Sequence, residues 1–424
     1  MSGSGRVPLL TRIGSRSIRF RPFRAWRPQP SIAPGVASPP YDVVTRDEAA
    51  ALAVGYPLSF LHVVRSDIDL PPGTDPHDPA VYAKARENLD LLMGEGSFVQ
   101  EKTPAIFLLQ MTSGRRSQIG VVGCLHVDDY ARNIVRKHEN TRKDKEDDRT
   151  RHILALNAQA EPVLLAHEPS PFIVQLNTRV MNQPPLFDFT VDEVRQRVWR
   201  APDPAAYVDA FRRISTAYIA DGHHRTAGAW RAATELRAKH PEHSGNEEYN
   251  WFLGVLFPSS SLRILPYHRA VRDLNGMTPE SFLGRLAALG KVFTTDTPAP
   301  RRSGSFGILV GGRWYRLELE RDSIDTVDPV RSLDASLLQA RILEPMLGIG
   351  DVRSDARIAF VGGGKGIPEL ERLVASGEMA VAFAMCAVTM EQLIKVADAG
   401  GIMPPKSTWF EPKLRSGLFV HSLA

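Results

Sequence analysis

From about residue 46 to about residue 397, short apolar β-rich runs alternate with capped helical segments, uninterrupted by repeats or low-complexity tracts. That alternation confines the chain to an α/β or α+β architecture. Thr45 with Glu48 three residues later is a capping box and predicts a helix over 46–53. Asp78-Pro79 caps a helix over 79–93, whose face carries Val81, Ala85, Leu89 and Leu92 and which Gly94 ends. Residues 59–64 read as a strand, and 105–111 and 118–127 as a hairpin across Ser113-Gly114. Segments 187–191 and 195–200 read as a strand pair, and 214–220 as a strand running into Asp221-Gly222 and an Ala-rich helix to about Lys239. Farther on, 251–257 reads as a strand, 306–310 with 314–319 as a hairpin, and 278–289, 333–346, 367–375 and 390–397 as helices. The expected division is a basic leader over 1–17, an N-terminal domain over 18–244, a C-terminal α+β domain over 245–402 and a docked tail over 403–424.

The start of the chain carries seven arginines and no acidic residue before Asp42. Such a segment reads as a ragged leader ahead of a fold beginning near Ile18, with an organelle transit peptide as the alternative. The two cysteines, Cys124 and Cys386, sit in apolar runs and read as small buried hydrophobes. No apolar run approaches the ~18 residues of a membrane span. A net charge of only +4, without one long basic stripe, disfavours nucleic acid as a partner. These readings place the protein in the cytoplasm and leave room for a homodimer.

Two clusters carry chemistry. The first runs from Arg136 to Arg151. Thr141 with Asp144 three residues on is an acidic capping signature, so a helix should begin just after Thr141. Arg142, Lys145 or Glu146, and Arg149 should share one of its faces. Lys137, His138 and Glu139 precede it, where free N–H groups attract an anion. Lys137, Arg142 and Lys145 then form a phosphate-sized pocket around Glu139, which can accept a hydroxyl proton or hold a metal ion. The alternative is a solvated helix laced by pairs of Asp144 or Glu146 with Arg149.

The second cluster is Asp221-Gly222-His223-His224-Arg225, between a strand and a helix. Gly222 permits a tight turn, the two histidines and Arg225 gather donors at a helix start, and Asp221 can bind a metal or act as a base. The plainer alternative is an Asp-Gly turn with two hydrogen-bonded histidines. The 362–366 glycine run lacks Walker spacing and reads as a strand-to-helix turn, His62 as a half-buried histidine, and segments 21–26 and 39–42 as rigid packing turns from which Arg24 or Asp42 could reach a pocket.

With these motifs the chain is identified as a member of the prokaryotic domain of unknown function 1015 family. The matching segments are Arg21-Pro-Phe-Arg-Ala, Pro39-Pro-Tyr-Asp-Val, the Lys137 to Arg149 stretch, Asp221-Gly-His-His-Arg and the Met403-Pro-Pro-Lys-Ser-Thr-Trp-Phe tail. More distantly, the pairing of His-Glu with a later Asp-Gly-His-x-Arg resembles free serine kinases on the ParB/sulfiredoxin fold. That resemblance implies a ParB/sulfiredoxin-like mixed core with N-terminal additions. It implies Glu139 as catalytic base beside His138 and Asp221, with Asp221 also holding Mg²⁺. It implies that Asp221, His223, His224 and Arg225 handle the phosphate; with Gly222, the cations Lys137, Arg142, Lys145 and Arg149 of the first cluster, and Lys406 of the tail, they make up the expected phosphate- or nucleotide-binding set. The chain is far longer than the minimal fold, so donor and acceptor are open. The implied activity is phosphoryl transfer on a small hydroxyl compound, serine or O-phosphoserine, with ADP/ATP, pyrophosphate or phosphate as co-substrate. A phosphoserine phosphatase and a non-catalytic nucleotide-binding or DNA-associated module are the rivals.

The tail has no regular helical or strand pattern, yet carries Trp409, Phe410, Leu414, Leu418, Phe419 and Val420. Leaving those in water is costly, so the tail should dock, bringing Lys406, Lys413 and Arg415 toward the phosphate pocket.

Overall fold

The computed structural model describes residues 17–424, so most of the basic leader lies outside the described residues. A nine-stranded mixed sheet forms the larger half. Its strands are β1 (Phe20–Arg21), β2 (Phe107–Ser113), β3 (Arg116–His126), β4 (Val135–Arg136), β5 (Val163–His167), β6 (Phe187–Val191), β7 (Val194–Arg200), β8 (Ala217–Asp221) and β9 (Trp251–Pro258). They lie in the order β4-β8-β5-β9-β3-β2-β7-β6, with β1 extending the β2 side of β3. The β4–β8 and β5–β9 pairs are parallel; the others are antiparallel.

Both faces of this sheet are covered. Along β3, Val122 and Cys124 enter one core while Val121 and Leu125 enter the other, as a strand's two-residue period requires. Three helices matter for the site: α1 (Pro79–Gly94), α2 (Lys143–Leu156) and α3 (His223–Lys239). Ala229, Ala232 and Ala233 of α3 pack on one face. The opposite face is closed by Leu393, Val396 and Ala397 and by Phe410, Leu414, Leu418 and Phe419 of the tail.

The second sheet has six strands, β10 (His268–Val271), β11 (Gly290–Thr294), β12 (Ser305–Val310), β13 (Arg313–Leu319), β14 (Ile358–Val361) and β15 (Val381–Ala384). Their order is β11-β13-β12-β15-β10-β14, antiparallel throughout. The chain is thus a mixed α/β protein, and the capped helices, both hairpins and the turn after Val361 match the sequence reading.

Four expectations are corrected. Residues 59–64 contain a helical turn, Leu61–Val64, because the Ser59 hydroxyl accepts from the Leu61 N–H and Leu61, Val63 and Val64 all turn into one core. A short apolar run does not separate strand from helix. A boundary near residue 245 would cut the first sheet, since β9 hydrogen-bonds β3 and β5. The helix expected over 333–346 is an α-turn, Asp334–Leu338, continued as a π-turn, Gln339–Leu343. Cys386 is only partly buried, unlike Cys124.

The tail docks as its composition requires. Trp409–Phe410 pairs with Ile264–Leu265, and His421–Ser422 pairs with Ala158–Gln159. Between them, Ser416 bridges to Ser38 and Val420 to Trp26.

Candidate active site

The site begins where α2 and α3 meet. Gly228 makes their close packing possible: a Cβ there would lie 2.9 Å from Arg149 Cβ and 3.2 Å from the Thr150 nitrogen. At the N-terminal ends, the Arg142 N–H donates to His224 Nε2 at 3.1 Å. Helix α2 therefore starts one residue later than expected, with Arg142 at its N-cap and no side-chain capping bond. The Thr141 hydroxyl makes no capping bond and instead donates to the Glu146 carboxylate. A histidine from the neighbouring helix serves the chain end instead. Burial lowers the His224 pKa, which suits its acceptor role.

Beside this junction opens a cavity of about 880 Å³ whose wall includes Arg65, Arg142, Lys145, Arg149, Arg353 and Lys406. Three of these cations are committed. Arg65 pairs with Asp67 at 2.9 Å, Arg142 with Asp144 at 2.7 Å, and Arg149 with Asp148 at 2.7 Å and Glu161 at 3.2 Å. The expected pairing of Asp144 or Glu146 with Arg149 is thus replaced; Glu146 pairs with Arg231. Arg149 is also stacked 3.8 Å from the centroid of the Tyr41 ring. Lys145, Arg353 and Lys406 make no ion pair among the described residues. Lys406 is held at φ 57° by the docked tail, an uncommon conformation for a side-chain-bearing residue.

Glu139 lies in the same wall. Burial raises its pKa above the ordinary carboxylate range, with Lys406 opposing and Asp221 and Asp42 reinforcing. A carboxylate in that position is a stronger base than one in water. Asp42, exposed and also in the wall, makes no ion pair among the described residues. Met403 ties the tail to this strip, its N–H donating to the His138 carbonyl at 2.8 Å.

The Asp221 turn is built differently. Gly222 takes φ 102°, and the space where a Cβ would stand is filled by the Arg225 guanidinium 3.1 Å away. Arg225 turns inward, donating to the Pro162 carbonyl and lying 3.4 Å from Asp221 Oδ1. Lys413 closes the other side, 2.8 Å from Asp221 Oδ2. Burial works to raise the Asp221 carboxyl, but Lys413 and Arg225 outweigh it and hold it down to about 2. Asp221, Gly222, His223 and Arg225 are absent from the cavity wall. Arg225 and Gly222 therefore shape the turn itself where phosphate contacts were expected, and both oxygens of the part-exposed Asp221 carboxylate are engaged by cations, which leaves Mg²⁺ a poorer ligand there than expected. Of this motif only His224 reaches the cavity.

Other expected residues are also redistributed. Lys137 is exposed and lies 5.8 Å from the Tyr130 ring centroid, away from the cavity wall. Arg415 pairs with Asp192 at 2.6 Å instead of joining the positive wall. His138 is 1 % exposed, and its ring meets that of His223 edge-on at 4.5 Å. Burial pushes His138 down to about 4 and His223 well below the usual histidine value. His138, Glu139 and His223 each place one donor atom within 4.8 Å of the others. Arg65 and Arg353 escaped the sequence reading. Arg65 follows the misassigned segment, and Arg353 stands in an irregular stretch whose partner in space lies some two hundred residues away.

A family model described as "Protein of unknown function (DUF1015)" matches residues 20–336. No curated protein matches the chain. Among solved structures the chain is similar to a free serine kinase in complex with AMP, at 14 % identity over 70 % of this chain and 89 % of that one, with a TM-score of 0.34. It is similar to a conserved hypothetical protein from Pyrococcus furiosus, at 14 % identity over 73 % and 97 %, TM-score 0.34. It is also similar to SbnI with a C-terminal truncation from Staphylococcus aureus, at 10 % identity over 70 % and 85 %, TM-score 0.37. Scores of this size carry no weight for the chemistry, which rests on the chain's own residues.

Proposed function

The chain belongs to the DUF1015 family of proteins of unknown function, and on that premise we propose that its cavity carries phosphoryl transfer involving a small hydroxyl compound, serine or O-phosphoserine. One observation carries the reading: Lys145, Arg353 and Lys406 line the same cavity as the half-buried carboxylate of Glu139 and make no ion pair among the described residues. Unpaired cations in a partly enclosed site favour a polyanion, and a carboxylate of raised basicity among them suits an attacking hydroxyl. The hydroxyl oxygen forms a bond to phosphorus as the bond from phosphorus to the leaving phosphate oxygen breaks. Glu139 takes the hydroxyl proton, or returns it to the leaving oxygen in reverse. The co-substrate is a nucleotide, pyrophosphate or phosphate. Mg²⁺ would enter with the phosphates and neutralise their charge, and Asp42 is the free carboxylate the wall offers it in place of Asp221.

Phosphorus NMR of the purified protein with O-phosphoserine and Mg²⁺, with and without ADP, tests this. Transfer of the phosphoryl group to ADP supports the reading. Inorganic phosphate released equally without ADP makes the protein a phosphatase. An unchanged phosphoserine signal with ADP, pyrophosphate and phosphate in turn overturns it.

A further inference from the structure

Buried polar atoms are normally paired, and buried imidazoles most of all, because they lose water on both ring nitrogens. His138 breaks that rule. It is 1 % exposed, and neither Nδ1 nor Nε2 makes a hydrogen bond of ordinary geometry. The Ile219 carbonyl lies near enough to favour its protonated form, yet no full bond results. His223, 6 % exposed, likewise leaves Nε2 without a partner. The two rings meet edge-on with centroids 4.5 Å apart, and the Glu139 carboxylate completes a set of donors within 4.8 Å. Two imidazoles whose facing nitrogens are left without hydrogen bonds, beside one carboxylate, are costly to bury as they stand.

We propose that His138, His223 and Glu139 form a binding site for a first-row transition-metal dication such as Zn²⁺ or Co²⁺. Two nitrogens and one oxygen are the donors these ions prefer, whereas Mg²⁺ takes oxygen. A metal-bound histidine commonly directs its other ring nitrogen at a backbone carbonyl, the place Ile219 occupies beside His138. Three protein ligands leave a position open, and Glu139 alone of the three also lines the cavity, so the ion sits beside the cavity behind that side chain. The site is distinct from the expected role of Asp221, whose oxygens are held by Lys413 and Arg225. Occupancy engages the carboxylate that phosphoryl transfer uses as a base, so the two roles compete for it.

The test needs no turnover, so it stands whether or not the protein transfers phosphate. Metal-free full-length protein is titrated with Co²⁺, following visible d–d absorption and bound metal by equilibrium dialysis. One tight site per chain, displaced by Zn²⁺ and indifferent to excess Mg²⁺, is expected. His138→Ala and His223→Ala should each weaken it by about a hundredfold or more, the loss of a direct ligand exceeding that of an outer-shell partner. Because an alanine variant that fails to fold would decide nothing, His223→Cys serves as the second arm: it exchanges one ligand for another and should add a sulfur-to-cobalt charge-transfer band. Absence of a Co²⁺ spectrum in the wild type overturns the site. So does Co²⁺ binding that survives both alanine changes, or a folded His223→Cys protein that binds Co²⁺ without the new band.

Discussion

The two sequence motifs that carry the chemistry end up in opposite electrostatic states, although both stand at helix starts a few ångströms apart. Around Glu139 the cations Lys145, Arg353 and Lys406 make no ion pair among the described residues, and burial raises the pKa of the carboxylate itself. Around Asp221 every charge is spent: Lys413 and Arg225 flank the carboxylate, and Arg225 also holds the Pro162 carbonyl. The difference teaches that a cluster of functional residue types does not by itself mark a site. Pairing decides. A buried charge with a partner fixes the fold, and one without a partner waits for a ligand.

The sharpest way to break that contrast is Glu139→Gln. The open region predicts a loss of about 10²–10⁴ in turnover, the usual cost of removing a general base, with the fold intact. Phosphorus NMR rates and a melting curve check it; turnover like that of the wild type removes Glu139 from the chemistry. Arg225→Ala probes the closed region. It strands Asp221 and leaves the Pro162 carbonyl without its donor, so it should cost about 3–5 kcal/mol of stability. Urea unfolding measures this. A stable variant that has lost only its affinity for phosphorylated ligands would return Arg225 to the binding site.

Much of this contrast was beyond the reach of the sequence, for a definite reason. Local signals are carried by neighbours in the chain, so the capping box at Thr45, the Asp78 cap and the Gly311-Gly312 hairpin could all be read directly. The Glu139 strip and the Asp221 turn could be found because their residues are contiguous. Which of their charges were free could not, because the deciding partners come from far away. Lys413 lies in the tail, Glu161 follows α2, and Arg353 belongs to the second half of the chain. The β9 strand illustrates the same limit, since nothing in its own residues says which sheet it joins.

Lys406→Ala tests whether the tail contributes to the open region or merely clasps it. The residue is exposed, acts electrostatically on Glu139 and makes no ion pair among the described residues, so its loss should leave stability nearly unchanged. A charge-assisted contact to phosphate is worth about 1.5–3 kcal/mol, so the KM for the phosphorylated substrate should rise roughly tenfold to a hundredfold. Unchanged kinetics would leave the tail as a clasp.

The smallest effect is also the most direct comparison, because the two carboxylates should respond to pH with opposite signs. Asp221 has its pKa lowered to about 2, below the ordinary 3.8. Its ionised form is favoured by folding, so its contribution is complete above about pH 4 and fades as pH falls toward 2. Asp221→Asn should therefore cost about 1–2 kcal/mol at neutral pH, discounted because the side chain is 23 % exposed, and nothing in strong acid. Glu139 has its pKa raised above the ordinary 4.5. Folding disfavours its ionised form, so a penalty is present at high pH, shrinks as pH falls through the raised value and is gone below 4.5. Glu139→Gln should accordingly stabilise the protein at neutral pH and converge on the wild type in acid. Urea unfolding of both variants from pH 7 to the acid limit of reversibility gives two difference curves. Curves of opposite sign that close together toward low pH sustain the distinction between a spent charge and a waiting one. Two curves of the same sign would mean that both carboxylates are paired in the folded protein, and that the open region is no more open than the turn.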